Sequence, residues 1–362
     1  MVAKKEKAKK SKISALKAFA FQQKEKKPTG IDPLDTVLKN GPEEGDLIAL
    51  ASKQGGGKST MLLQLSRIYI EEYGMKVAYI DVERGVKQEI LENMGLIPHM
   101  QDGSFFITNR VSTYSEIQEV LDEILASEEE WGMLVIDSIT ALVPTKMLEV
   151  EVESQQMALK ARAMTAFIDK YRGALANKNI ITWMIVQYRK NLNTTTYGAP
   201  EYNTAAPMSL NHAADVVMHI TTSRAADRKI LRMAQTATGL QETSVGATHY
   251  LWTEKNKHAV PFIKVNFPVI YGQEISNVEY LKRLVEDKKL YTKSGASWYS
   301  SVAGIECKLN GKPALYQFIE DNFDTIREKL FVEGHYDLMS LQGVIDVNDN
   351  GGEAVESDED QV

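Results

Sequence analysis

The residues best suited to chemistry stand where an apolar run meets a glycine turn, in Leu47-Ile48-Ala49-Leu50-Ala51-Ser52-Lys53-Gln54-Gly55-Gly56-Gly57-Lys58-Ser59-Thr60. Gly55, Gly56 and Gly57 let backbone N–H groups turn inward around an anion. Lys58 brings positive charge to outer phosphates, and the Ser59 hydroxyl, with Thr60 beside it, can ligate magnesium. The helical pattern that follows, Ser59 to Glu72, points its positive dipole end at the same spot. Ser52 stands where the common phosphate-loop pattern has its first glycine, so the competing reading is a glycine-rich turn with a lysine nearby.

Three further groups could complete such a site. Met133 to Asp137 is an apolar strand ending in an acid, the arrangement that holds magnesium beside a phosphate loop. Glu83, just past the strand Lys76 to Asp81, could orient or deprotonate a water that attacks a terminal phosphate, or could be a surface glutamate at a helix start. Gln187, at the end of the strand Ile180 to Val186, could sense that phosphate through its amide, or could merely cap its strand. Three such groups at three strand ends, together with Lys58, point to ATP hydrolysis with magnesium.

The elements that must position them alternate. After the phosphate loop and its helix come the strand at Lys76, a helix from Lys87 to Met94, the strand Phe105 to Thr108, and the helix Tyr114 to Ala126. The strand at Met133, a long helix from Met157 to Ala176 and the strand at Ile180 follow. This order predicts an α/β fold with a mainly parallel sheet covered on both faces, whose ligands gather at the carboxyl ends of the strands. From Val216 the chain becomes β-rich (Val216 to Thr222, Ile230 to Thr236, Thr248 to Glu254, Ile263 to Phe267), which predicts antiparallel additions to the sheet. Helical patterns at Val278 to Glu286, Pro313 to Asp321 and Thr325 to Phe331 suggest a small carboxyl-terminal α+β unit.

The 362 residues carry a net charge of −7, unevenly spread. Residues 1–27 hold ten lysines against two glutamates, and residues 345–362 hold seven acids and no base, which leaves the middle at −8. Bulk charge therefore excludes non-specific binding to nucleic acid, and any DNA contact must be a local cationic track. Both ends read as solvated tails, although Ile13, Leu16, Phe19 and Ala20 fall on one face of a short amphipathic helix that could dock on another subunit. A single cysteine, Cys307, excludes an internal disulfide, and six scattered histidines give no zinc spacing. No apolar run approaches the ~20 residues of a membrane span, so a cytoplasmic protein is expected.

Around Arg189, Lys190, Leu192 and Tyr197, roughly 20 residues rich in Asn, Thr, Gly and Pro lack any core pattern. Cations interleaved with apolar and aromatic groups suit single-stranded DNA, where charge follows the backbone and flat groups meet bases.

Several segments resemble the bacterial and phage RecA recombinase family, in that family's order. They are Tyr79-Ile80-Asp81-Val82-Glu83, the run Val135 to Pro144, Gln187-Tyr188-Arg189, Tyr197-Gly198-Ala199-Pro200-Glu201, the run Lys255 to Phe262, and Gly295 to Ser300. The resemblance covers residues 29 to about 331. It implies an ATP-dependent helical filament on single-stranded DNA that pairs with a homologous duplex and exchanges strands. Carried over by position, Glu83 matches the catalytic glutamate, Lys58 and Ser59 the phosphate and magnesium ligands, Asp137 the magnesium-side acid, and Gln187 the residue that couples nucleotide state to DNA. Lys255 and Lys257 match a pair that reaches a neighbouring subunit's nucleotide. The family's first DNA loop matches Glu149 to Gln156, with Met157, Arg162 and Thr165 at DNA-contacting positions. The second matches Tyr188 to about Asn211, with Leu192 and Tyr197 at apolar positions near the bases.

Departures accompany the resemblance. Val150 and Glu153 replace loop glycines, Ala205 and Ala206 replace a glycine pair, Asp169 stands in place of an arginine, and Lys87 in place of an acid near the adenine. The expected organisation is a basic arm (1–28), an ATPase core with two DNA loops (29–270), a small carboxyl-terminal domain (271–335) and an acidic tail (336–362). Two other classes compete: a helicase or regulatory ATPase of the same fold, and a DNA-coating protein that binds ATP without turnover.

Overall fold

The structure is a computed structural model that describes residues 24–148, 156–190, 202–204, 208–222, 229–236, 239–294, 297–300, 307–332 and 343–344. Residues 1–23 of the basic arm, most of the acidic tail, and Val150, Glu153, Leu192, Tyr197, Ala205 and Ala206 lie outside the described residues.

In chain order the elements begin with α1 (Asp32–Leu38), β1 (Leu47–Ser52), α2 (Lys58–Tyr73), β2 (Lys76–Asp81), α3 (Gln88–Asn93), α4 (Ile97–Asp102), β3 (Phe105–Thr108), α5 (Tyr114–Ala126) and β4 (Trp131–Asp137). Next come α6 (Gln156–Asn177), β5 (Ile181–Lys190), β6 (Tyr202–Thr204), α7 (Met208–Ala213), β7 (Val216–Thr222), β8 (Lys229–Thr236), β9 (Gly239–Asn256) and β10 (Ile263–Ile270). The described chain closes with α8 (Asn277–Asp287), β11 (Thr292–Ser294), β12 (Ser297–Ser300), β13 (Cys307–Asn310), α9 (Gly311–Asp321), α10 (Phe323–Arg327) and β14 (Gly343–Val344).

The main sheet runs β14-β10-β9-β7-β1-β5-β4-β2-β3, with β6 added to β5 and β8 to β9. Strands β7, β1, β5, β4, β2 and β3 are mutually parallel, and β9 and β10 extend the sheet antiparallel. This is the mainly parallel α/β fold the alternation predicts. Because strand side chains alternate between faces, β1 sends Ile48 and Leu50 to one core with α1 and α2. It sends Leu47, Ala49 and Ala51 to a second core with α5 and α6. Helix α5 starts at a capping box in which Thr113 Oγ1 accepts from Glu116 N and Glu116 accepts from Thr113 N, and it buries Ile117, Leu121 and Ile124.

Helix α8 is shared. Its Tyr280 joins the first core, while Leu281, Leu284 and Val285 join a third with Leu315, Ile319, Ile326 and Leu330. The β11-β12-β13 sheet lies beside that third core, and Arg327 returns to α1 through a pair with Asp32, 2.6 Å. Two expectations change. The helix predicted over Thr325 to Phe331 divides at Arg327 into α10 and a wider π turn, Glu328–Val332. The strand expected to stop at Val186 continues to Lys190, because β6 returns to pair with it.

Candidate active site

The parallel register brings the sequence-predicted groups to one edge. Ser52 at the end of β1 is level with Gln187 of β5, and Asp81 of β2 is level with Asp137 of β4. Gln187 thus lies inside its strand instead of capping it. Beyond these positions a cleft of about 260 Å³ is lined by Gly55, Gly56, Gly57, Lys58, Ser59, Thr60, Glu83, Asp137 and Gln187, with Tyr271 and Gly272 on its far wall.

Gly55 and Gly57 adopt φ of 75° and 79°, in the left-handed region that glycine enters without strain. Ser52, wholly buried, accepts a hydrogen bond from Lys58 Nζ at 2.8 Å and donates to Lys53 O at 2.7 Å. Lys58 Nζ also donates to Lys53 O at 3.0 Å. A Cβ at position 56 would stand 2.4 Å from Ser52 Oγ. The serine in place of the usual glycine is therefore accommodated by Gly56 across the loop. Burial pushes the Lys58 ammonium pKa down, opposed by the charges of Asp137 and Glu83.

Asp137 Oδ2 accepts from Ser59 Oγ at 2.6 Å and from Tyr79 OH at 2.8 Å. Burial raises its pKa despite these two donors, and the neighbouring Glu83 charge adds to the rise. Glu83 rides on a turn fixed from below: Asp81 accepts from Gly85 N and Val86 N, at 3.1 and 2.9 Å, and Glu83 N donates to Asp137 O at 3.2 Å. Across the cleft, Gln187 Nε2 donates to Glu83 Oε1 at 2.7 Å, and Gln187 N donates to Thr140 Oγ1 at 3.3 Å. Sequence reasoning missed Tyr79, Asp81, Thr140 and Tyr271. Tyr79 and Thr140 act through bonds to distant segments, Asp81 ties the turn that follows it, and Tyr271, just past β10, is 56% exposed.

Lys255 and Lys257 lie elsewhere. Lys255 is paired with Val217, itself level with Ala49, three residues before the end of β1 and so toward the opposite edge of the sheet from the phosphate loop. Its Nζ donates to Asn211 O, His212 O and Ala214 O at 2.9, 3.0 and 2.6 Å, at the carboxyl end of α7. Lys257 Nζ donates to Asp215 Oδ1 at 2.8 Å, and Arg172 pairs with the other oxygen of the same carboxylate. The sequence offered no local reason for this lysine pair, and the structure supplies one in each case. The next residue, His258, has its two ring nitrogens 3.1 Å from Glu43 Oε1 and 2.7 Å from Asp46 Oδ2.

Of the expected DNA-contacting residues, Arg162 is exposed on α6 and shares a face with Thr165. Thr165 Oγ1 donates to Ala161 O and hydrogen-bonds with Ser209 Oγ, tying α6 to α7. Asp169 is exposed on the same helix. Arg189 is paired with Asn203 in the β5–β6 hairpin, and Met157 lies in the first turn of α6.

A model of the RecA N-terminal domain matches residues 3–276. The chain belongs to the RecA family. Protein RecA of Gloeothece citriformis is 27% identical over 339 residues, covering 92% of this chain and 88% of that protein. Protein RecA of Geobacter metallireducens is 29% identical over 75% of this chain and 74% of its own length. That of Chloroherpeton thalassium is 30% identical over 75% and 70%. As a RecA-family protein it is an ATP-dependent recombinase of DNA recombination and repair, a DNA-dependent ATPase that uses ATP with magnesium. Work on single-stranded DNA and filament formation come with the family. Among the described residues no helix is long and apolar enough to cross a membrane.

Proposed function

We propose that the cleft at the strand ends is the ATP site of this recombinase, with Glu83 as general base and Lys58 as the cation for the outer phosphates. The observation that supports this is the convergence of Lys58, the Ser59–Asp137 pair and the Glu83–Gln187 pair on one cleft. The donor set fits a magnesium nucleotide. Gly55 and Gly57 have open space where a Cβ would stand, so their backbone can approach phosphates closely. Ser59 and Asp137 offer the hard oxygen ligands magnesium prefers. Bound there, magnesium would neutralise charge on the phosphates. Glu83 accepts the proton of the attacking water, Lys58 balances charge on the phosphate oxygens, and Gln187 reports the state of the site to β5 and the segment after it. Tyr271 offers a flat face of the kind a nucleobase stacks on.

In this reading Lys255 and Lys257 complete the phosphate site of an adjoining subunit. Met157, Arg162, Thr165, Arg189, Leu192 and Tyr197 contact single-stranded DNA, and a homologous duplex is the second substrate in the cytoplasm. Residues 29–270 serve as the ATPase core, 271–335 as a small carboxyl-terminal domain, and 1–28 and 336–362 as charged extensions. Phosphate release measured with and without single-stranded DNA tests the reading. DNA should raise the rate in the wild-type chain and fail to do so in Gln187→Ala, whereas equal stimulation of both removes Gln187 from the coupling.

A further inference from the structure

Directly behind the ATP site, on the other face of the sheet, stands a polar stack that the ATPase chemistry does not use. Gln187 and Tyr188 are consecutive residues of β5, so their side chains leave the sheet on opposite faces. Gln187 faces Glu83, whereas Tyr188 packs against the core under α5 and α6. There the Tyr188 hydroxyl and His219 Nδ1 of β7 are hydrogen-bonded, and His219 Nε2 lies 2.8 Å from Glu254 Oε2 of β9. The imidazole is held flat between two rings. Tyr188 lies nearly parallel to it at 9° and 5.8 Å, and Trp252 stacks at 13° and 4.0 Å. His219 is only 3% exposed.

We propose that His219 is a positioning residue for the ATPase: by holding Tyr188 it fixes the Gln187–Tyr188 peptide unit, and with it the reach of Gln187 toward Glu83. That peptide unit is gripped from several sides. Thr140 Oγ1 accepts from Gln187 N, Glu83 accepts from the Gln187 amide, His219 holds the Tyr188 ring, and β6 pairs with Tyr188 at Thr204. Because β6 is the returning limb of the segment that leaves β5, a pull on that segment is felt at Tyr188 one residue from Gln187.

The imidazole also sets the sense of the grip. With Glu254 accepting from Nε2–H, a neutral ring presents Nδ1 as an acceptor and Tyr188 must donate. The described groups against the ring are Tyr188 from β5, Glu254 and Trp252 from β9, and apolar Ala51 level with it on β1. The hydrogen bond with His219 holds the Glu254 carboxyl below its usual pKa.

The proposal rests on the coupling role given to Gln187, so Gln187→Ala is measured alongside. His219→Phe keeps a flat ring in the stack and removes both polar contacts, and Glu254→Gln keeps an acceptor but removes the charge. Both should keep DNA-independent ATPase and the thermal midpoint near wild type. In His219→Phe the ratio of DNA-stimulated to basal kcat should fall by about fivefold or more, the size of an ordinary coupling, with KM for ATP unchanged. In Glu254→Gln, which keeps an acceptor for His219 Nε2–H, the ratio should fall less than in His219→Phe. If Gln187→Ala abolishes stimulation while His219→Phe retains the wild-type ratio, the positioning role is wrong. Equal loss of basal and stimulated rates with a lowered midpoint also overturns it, leaving a purely structural stack. If Gln187→Ala itself stimulates normally, the role of Gln187 fails, which is a separate result.

Discussion

Replacing Glu83 by glutamine tests the chemistry while leaving the architecture in place. Glu83 Oε1 accepts from Gln187 Nε2 at 2.7 Å, and the turn beneath it is held by Asp81 and Asp137 without using the Glu83 side chain. A glutamine amide has the same shape and can present its oxygen to Gln187, so the contact survives and stability should change by less than about 0.5 kcal/mol. Two things are lost. The side chain no longer accepts a proton near neutral pH, which costs on the order of 10² to 10⁴ in rate, or about 3 to 5 kcal/mol of barrier. One of the two negative charges near Lys58 also disappears, which removes repulsion toward the phosphates. Nucleotide affinity should therefore hold or tighten while turnover collapses. Single-turnover phosphate release on DNA, beside equilibrium binding of a non-hydrolysable ATP analogue, separates the two effects. Turnover within about threefold of wild type would show that Glu83 is not the proton acceptor, and a large loss of analogue binding would show that it acts by holding the site together.

Mixing Glu83→Gln subunits with Lys255→Ala/Lys257→Ala subunits should restore hydrolysis in co-assembled filaments if the lysines act on the adjoining subunit, and no recovery at any ratio refutes that role. Asp215→Asn should destabilise the chain by about 2 kcal/mol, the worth of hydrogen bonds to a charged group, since Arg172, Lys257 and Leu47 N all rely on this carboxylate. Burial opposes its charge, but the Leu47 N–H, Lys257 and Arg172 prevail and hold the pKa below its usual value. Its contribution is accordingly complete above about pH 4 and fades as pH falls through the depressed folded-state value, a loss that Asp215→Asn should lack in acid titrations followed by circular dichroism. His258 behaves oppositely. Asp46 first, then Glu43, raises its pKa against burial, so its support is full below about pH 6.5 and fades as pH rises through the raised value, and His258→Gln should flatten that part of the stability profile. Thr113→Ala should cost about 1 kcal/mol by opening the α5 capping box, read as a lower urea midpoint.

The phosphate loop and the βα alternation were legible because fully buried parallel strands leave continuous apolar runs, as in Ile48 to Ala51 and Leu134 to Ile136. The acids and amide at their ends stood out against that background. Helix α4 was not legible: it buries none of its residues, so no apolar stripe marks it. The first turns of β9 were equally silent, since Gln241, Glu242 and Thr243 are exposed and are held in strand form by pairing with β8. Within the site, Tyr79 and Thr140 earn their place by bonds to Asp137 and Gln187 that depend on which strands become neighbours. Asp215 gathers Arg172, Lys257 and Leu47 N from three distant segments, and spacing in one sequence carries no trace of such a hub.

The resting partners of Lys255 and Lys257 bear on how a neighbour's ATP could matter. A solvated surface lysine would gain from any phosphate brought within reach. Here Lys255 already satisfies its three donors with the last carbonyls of α7, where a cation is favoured by the helix dipole. Lys257 already sits on a buried carboxylate that would be left with Arg172 and the Leu47 N–H. Burial also lowers the pKa of Lys255, with the charge of Lys257 adding to the effect. Reaching a neighbour's phosphates is therefore an exchange of partners, and only the difference between the two sets can appear as assembly energy. An exchange of that kind is sensitive to the charge at the receiving end. Triphosphate with its full charge can outbid carbonyls and a shared carboxylate, whereas the smaller charge left after hydrolysis competes less well. If the lysines act across the boundary, contact between subunits then weakens when ATP is spent, and the nucleotide controls the filament through the same two residues that complete its site.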